Sequence, residues 1–249
     1  MNYDEIALKK AGFPLVKLFA AAFFAGLFIA FGALCSQIAG VDTGLKIASA
    51  AVFPIGLIMV VLVGAELFTG NNLMTYAVFN RRLSYSALLK NWLIVYVGNL
   101  FGSLFLAQCV VLGQTDKMFD ARLTAAMIAT AEAKVGLPPA DMLMRGIFCN
   151  ILVCIAVWCA IKAKSVPGKI LSVFFPTFAF VYCGFEHSIA NMYFIPVGMM
   201  AQFASGSGSE IPLAGLLLNL FFVSIGNIIG GALITAGGLW IMDRTVSGK

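Results

Sequence analysis

The chain has 249 residues, 61% of them hydrophobic and only 11% charged, with a mean hydropathy of +0.98. Soluble domains carry about 25% charged residues, so this composition excludes a water-soluble globule, and it excludes disorder, which needs few apolar residues and high net charge. The 25 glycines and eight prolines follow no triplet period, which excludes a collagen, and the net charge of +5 acquires meaning only from where the cations sit relative to the apolar runs.

An apolar helix needs about 20 residues to cross the bilayer core, so the length accommodates some six or seven crossings and no sizeable soluble domain. Residues 1–17, MNYDEIALKKAGFPLVK, mix acids with three lysines and are expected to form an amphipathic surface helix. The first apolar run, Leu18 to Ala39, reads as an uncleaved anchor: it is too long for a secretory signal, and Leu34 before Cys35 is too bulky for a lipoprotein-type site. Further runs cover Ile47 to Phe79, Asn91 to Gly113, Met142 to Ile161, Ile170 to Ala204 and Leu213 to Met242, which makes six segments. The second and fifth reach 33 and 35 residues. That is too long for one crossing and too short for two with a turn, so each is predicted to contain a broken helix.

With the amino terminus in the cytoplasm and one crossing per segment, Lys9, Lys10, Lys17, Arg81, Arg82, Lys90, Lys162, Lys164, Lys169, Arg244 and Lys249 fall inside. Outside are Lys46, Lys117, Arg122 and Lys134, with Arg145 near the outer end of the fourth span. This asymmetry obeys the positive-inside rule and places both termini in the cytoplasm.

The second segment is interrupted by GAELFTGN, Gly64 to Asn71, and the fifth by GFEHSIAN, Gly184 to Asn191; both fit GxExxxxN. The segment after each carries GNxxG, in VGNLFGSLF from Val97 and in IGNIIGGAL from Ile225. Two ordered matches, offset by 120 and 128 residues, predict a duplicated three-span unit. Three is odd, so the second copy enters from the opposite side and the repeat is inverted, spanning about residues 18–113 and 142–242 of one transmembrane domain, 1–249. Broken helices at matching places in inverted halves point to a transport pathway at the midplane.

After each break a short helix is predicted to resume, near Asn72 and near Met192. Its unpaired N–H groups carry partial positive charge, so two such starts converging on one pore suit a small anion. Conduction needs attraction weak enough for release, and the breaks contain no lysine or arginine. His187, the chain's one histidine, sits beside Glu186 where ionisable groups are costly, and such a residue inside a bilayer reads as functional. It can hydrogen-bond an anion, hold it when charged, or relay a proton. Glu66 and Glu186 would repel an anion, so they read as structural, accepting backbone N–H bonds within their loops. Asn71 and Asn191 end the two motifs and share that role. The six cysteines lie in or beside apolar runs and read as small hydrophobes; Cys149, Cys154 and Cys159 are five apart, rotated by about 140° each, and share no face. The ligand spacings for a metal, the phosphate loop for a nucleotide and the basic-aromatic pattern for nucleic acid are lacking, so no cofactor is expected.

At GAELFTGN and GFEHSIANMYFIP, together with KNWLIVYVGNLFG and FCNILVC, the sequence resembles the formate/nitrite transporter family over essentially its whole length. The resemblance implies an all-α membrane protein whose six-helix protomer looks like an aquaporin, assembled as a homopentamer with one pore per protomer in a prokaryotic cytoplasmic membrane. It places Thr69 and His187 face to face at the pore centre with Asn150 nearby. It also puts apolar constrictions at Phe53, Leu57, Leu67, Phe68 and Phe180, and Lys134 near the outer entrance. It implies no enzyme. The expected function is passive or proton-linked passage of small monovalent weak-acid anions, formate before nitrite. The alternatives are a hydrosulfide or small neutral-solute channel of the same fold, a non-transporting scaffold, and an intramembrane enzyme. A bare charge in an apolar constriction is costly; a weak-acid anion that takes up a proton there escapes that cost, with His187 assisting.

Overall fold

The computed structural model describes residues 3–206 and 211–246. Lys249, counted above among the inner cations, lies outside them. Among the described residues, six helices are long and apolar enough to cross a membrane. The first is α2 (Leu15–Thr43), preceded by α1 (Tyr3–Ala11). The second crossing is α3 (Lys46–Val52) running into α4 (Pro54–Val63), then a break, α5 (Phe68–Asn71), a 3₁₀ turn at Asn72–Met74, and α6 (Thr75–Phe79). The third is α7 (Tyr85–Leu112); α8 (Arg122–Val135) follows, and α9 (Pro139–Lys162) is the fourth. The fifth is α10 (Val166–Cys183), a break, and α11 (Ser188–Ser205). The sixth is α12 (Leu213–Ile228), a π-helical stretch at Ile229–Ala236, and α13 (Gly237–Val246).

Local chemistry explains the boundaries. Ser84 and Ser165 cap α7 and α10, accepting from the N–H groups of Ala87 and Gly168. Prolines stand at the first turns of α4, α9 and α10, where a missing N–H costs nothing. Gly64 and Gly184 end α4 and α10 with φ of 76° and 74°, a left-handed conformation that a side chain would strain. The two helix ends are conformational copies.

Several expectations are corrected here. The helices resume at Phe68 and Ser188, four residues before the predicted points, because Asn99 and His187 cap them at once. The link between the third and fourth spans holds α8, whose polar residues hid it from an apolar count. The amino-terminal helix ends at Ala11, short of residue 17, and buries Tyr3, Asp4 and Ala7 against the body while Glu5, Leu8 and Lys9 stay exposed. The π stretch in the last span was not foreseen.

After the breaks, α6 packs against α1 and α11 against α8. The two helix starts meet at Thr69 and His187, held by bonds to α7, α9 and α12. Exposed aromatics such as Phe24, Phe101, Phe105 and Phe221 point outward, as a lipid or subunit contact requires and water would penalise.

Candidate functional site

Each break must satisfy backbone groups that water cannot reach. At the first, the Phe68 N–H donates to Asn99 Oδ1 at 2.9 Å, and Asn99 Nδ2 donates to the carbonyls of Ala22 at 2.7 Å and Glu66 at 2.9 Å. At the second, the Ser188 N–H donates to Asn227 Oδ1 at 2.9 Å, and Asn227 Nδ2 donates to Gly146 O at 2.8 Å and Glu186 O at 3.0 Å. Both asparagines belong to GNxxG. They are fully buried, and one amide serves three backbone groups in each case.

The carboxylates are organised as a second matching pair. Asn71 Nδ2 donates to Glu66 Oε2 at 2.7 Å and to Asn91 Oδ1 at 2.9 Å, while Lys10 Nζ donates to Glu66 Oε1 and Asn71 Oδ1, both at 2.9 Å. Asn191 Nδ2 donates to Glu186 Oε2 at 2.6 Å and to Asn219 Oδ1 at 2.8 Å, while Lys134 Nζ donates to both Glu186 oxygens at 2.9 Å. The glutamates thus accept from a lysine and an asparagine side chain, not from loop N–H groups as the sequence reading had it. Each mouth presents a neutralised ion pair in place of a bare charge.

Between the two breaks, Thr69 Oγ1 and His187 Nε2 lie 2.8 Å apart. His187 is also the cap of α11, its Nδ1 accepting from the Ala190 N–H at 3.1 Å. A nitrogen that accepts carries no proton, so this cap selects the neutral tautomer protonated on Nε2, which then donates to Thr69. The Phe180 ring stacks on the imidazole at 5.9 Å between centroids, and Phe53 meets Phe180 edge-on at 5.6 Å.

Two cavities approach this contact. One, of about 420 Å³, opens toward α1 and is lined by Lys10, Glu66, Leu57 and Leu67. The other, of about 170 Å³, opens toward α8 and is lined by Lys134, Glu186, His187, Phe53 and Phe180. Phe53 lines the second cavity and Leu57, one helical turn on, the first, so apolar side chains of one helix stand between them.

A profile of the family described as formate/nitrite transporter matches residues 2–241. The chain belongs to that family. It is 38% identical to a probable formate transporter of Methanothermobacter thermautotrophicus, covering 95% of this chain and 92% of that one. It is 34% identical to the formate channel FocA of Escherichia coli K12, covering 96% and 90%. Among solved structures, an FNT family ion channel superposes with a TM-score of 0.86 at 27% identity, covering 96% of each chain. A pentameric formate channel with formate bound superposes with a TM-score of 0.80 at 28% identity, covering 92% of this chain and 97% of that one. The family is one of membrane transporters and channels, not enzymes, and the chain is an integral membrane protein.

Within this member of the family, Phe180 stacks on His187 and Phe53 meets Phe180, Leu57 and Leu67 line the cavity on the α1 side, and Phe68 joins neither group. Its ring turns to α7, meeting Trp92 at 5.9 Å and Tyr96 at 4.9 Å. Asn150 is fully buried behind Thr69, donating to its carbonyl at 3.2 Å. Most N–H groups expected to await an anion are already taken: Phe68 by Asn99, Ser188 by Asn227, Ala190 by the His187 ring, Asn191 by His187 O. Sequence reasoning missed Lys10, Asn91, Asn99, Asn219 and Asn227. The asparagines carried a signal, an amide inside an apolar helix, and two stood inside the recognised GNxxG. Lys10 carried none, since only folding brings α1 to the mouth.

The ion pairs lend themselves to measurement. Lys134→Met leaves a 5% exposed carboxylate without its cation, and breaking a buried pair from one side costs about 3 kcal/mol or more. Thermal unfolding of the purified protein is expected to show that loss, and Lys134→Met combined with Glu186→Gln is expected to restore most of it.

Proposed function

We propose that each protomer carries small monovalent weak-acid anions, formate before nitrite, through a pathway joining the two cavities across the Thr69–His187 contact. That contact carries the reading: two hydrogen-bond donors, the Thr69 hydroxyl and the His187 Nε2–H, meet in an apolar neck where water is excluded. A carboxylate that enters between them accepts from both, one donor per oxygen. The neck itself disfavours charge by several kcal/mol. A weak-acid anion resolves the conflict by binding a proton as its surroundings dry out, since desolvation favours the neutral form, and by releasing it in the opposite cavity. The Lys10–Glu66 and Lys134–Glu186 pairs present polar, nearly neutral mouths, which admit an anion without trapping it.

In this reading the chain is one domain of two inverted three-span copies. The paired glycine conformations, the Asn99 and Asn227 anchors, and the two Glu–Asn–Asn–Lys clusters support it, since matched bonds at matched offsets are what duplication leaves. The copies differ where function lies: His187 corresponds to Leu67 and Thr69 to Ile189, so one half supplies each donor. The α1 face is assigned to the cytoplasm, with both termini, from the excess of cations there. A homopentamer in a prokaryotic cytoplasmic membrane is proposed from the pentameric neighbour and the archaeal and bacterial relatives.

Reconstituted vesicles test the reading. At fixed total formate, initial uptake is expected to rise about tenfold for each unit by which the outer pH falls, because the proton is a reactant. Nitrite is expected to follow more slowly and chloride, which binds no proton, not to pass. Chloride flux equal to formate flux overturns proton linkage; glycerol or hydrosulfide passing while formate does not overturns the substrate class.

A further inference from the structure

Behind Thr69 stands a device that the pathway alone does not explain. Asn150 Nδ2 faces three acceptors: Asn227 O at 2.7 Å, Asn72 Oδ1 at 3.1 Å and Thr69 O at 3.2 Å. Two of these belong to opposite halves of the central contact. Thr69 is itself one partner, and Asn227 is the residue whose side chain anchors the start of α11, where His187 sits. One amide therefore links the scaffolds that carry the two donors. Cys154, one turn farther along α9, adds a weaker bond from Sγ to Thr69 O at 3.4 Å.

The π-helical stretch presses on this amide. A β-carbon on Gly231 would clash with Asn150 Nδ2 and lie 2.9 Å from both Asn72 Cβ and Cys154 Sγ. Only a bare backbone fits. The neighbouring Gly230 packs equally close on Ile147 O, and its own carbonyl accepts from Thr235 Oγ1 at 2.8 Å. A π turn is rare and gathers at functional sites; here its position places a side-chain-free segment directly on the bridging amide. The first half of the chain lacks the bridge. Asn99 bonds Ala22 O as Asn227 bonds Gly146 O, and four residues farther on, opposite Asn150, stands Gly26, whose backbone meets Asn99 O directly.

We propose that Asn150, held in place by Gly231 of the π turn, is a positioning residue that sets the Thr69–His187 separation and thereby the flux that this contact controls. The proposal rests on the reading of Thr69 and His187 as pathway donors, but its first readout does not require transport. His187 is the sole histidine, so the imidazole nitrogens labelled with ¹⁵N give one pair of NMR resonances. Asn150→Ala, which introduces no clash, and Gly231→Ala are both expected to move the Nε2 resonance toward that of Thr69→Val. Formate flux is expected to fall about tenfold in each single variant, as for one lost hydrogen bond. Gly231→Ala added to Asn150→Ala is expected to cost less than Gly231→Ala alone costs the wild type, because the amide it would displace is gone while the close approaches to Asn72 Cβ and Cys154 Sγ remain.

An Nε2 resonance unchanged in folded Asn150→Ala overturns the clamp, whatever the flux. Additive losses in the double variant overturn the role of Gly231. A moved resonance with unchanged flux of every anion leaves the geometry intact but sinks the claim that it controls transport, and so separates a failure of the functional reading from a failure of the clamp.

Discussion

Replacing Asn227 with leucine is expected to be among the most destabilising single changes in the protein, with Asn99→Leu close behind. Each asparagine is fully buried and serves one N–H and one carbonyl at a helix break and ties them to a carbonyl of a neighbouring continuous helix. A buried group left without a partner costs about 1–3 kcal/mol, and two are orphaned together, the N–H of Phe68 or Ser188 and the carbonyl of Glu66 or Glu186, while Ala22 O and Gly146 O lie within continuous helix and keep intrahelical partners. Hydrogen bonds between membrane helices average only about 0.6 kcal/mol, because groups in the unfolded membrane state find other partners. That discount does not apply here: the orphaned groups are backbone at an interrupted helix, with no intrahelical alternative. Asn227→Asp is expected to fall between, keeping the acceptor for Ser188 N–H while setting an oxygen against two carbonyls. Thermal unfolding in detergent checks the order, and wild-type stability in Asn227→Leu would show that the break holds itself.

The largest effect on transport is expected at His187, where two substitutions separate two jobs. Asparagine is among the best helix caps and can still accept the Ala190 N–H, but it is too short to reach Thr69. His187→Asn is therefore expected to unfold near the wild-type temperature while losing at least about tenfold in formate flux, having lost one of two donors to the anion. His187→Phe loses the cap as well and is expected to be less stable by about 1 kcal/mol. The pH profile carries the sharper information. Protonating Nδ1 would turn it into a donor facing the Ala190 N–H and break the cap, so the ring acts as a neutral donor. The rise of formate uptake with falling outer pH then belongs to the substrate's proton, and its slope is expected to persist, at lower amplitude, in His187→Asn. A slope abolished in a folded His187→Asn protein would make the ring the obligatory proton carrier.

Much of this molecule is legible without coordinates. Apolar runs of membrane-spanning length, two over-long segments and the repeated GxExxxxN and GNxxG motifs define the six crossings and locate both breaks, because a bilayer admits so few backbone arrangements. Charge placement carries the proposed assignment of the faces. Motif resemblance brings Thr69 and His187 to one site, and they stand 2.8 Å apart.

Folding decided the partners. That Glu66 meets Lys10 across 56 residues, that Glu186 meets Lys134 across 52, and that Phe68 turns to α7 and not to the neck depend on which helix faces which. The same holds for the π turn, whose eight residues read as ordinary helix and whose fit is intelligible only against Asn150. Periodicity and hydropathy are local sums over neighbours in the chain, and they determine where a helix crosses. A hydrogen bond between distant side chains depends on rotation and depth to within an ångström, and those are set only when all six spans have packed together.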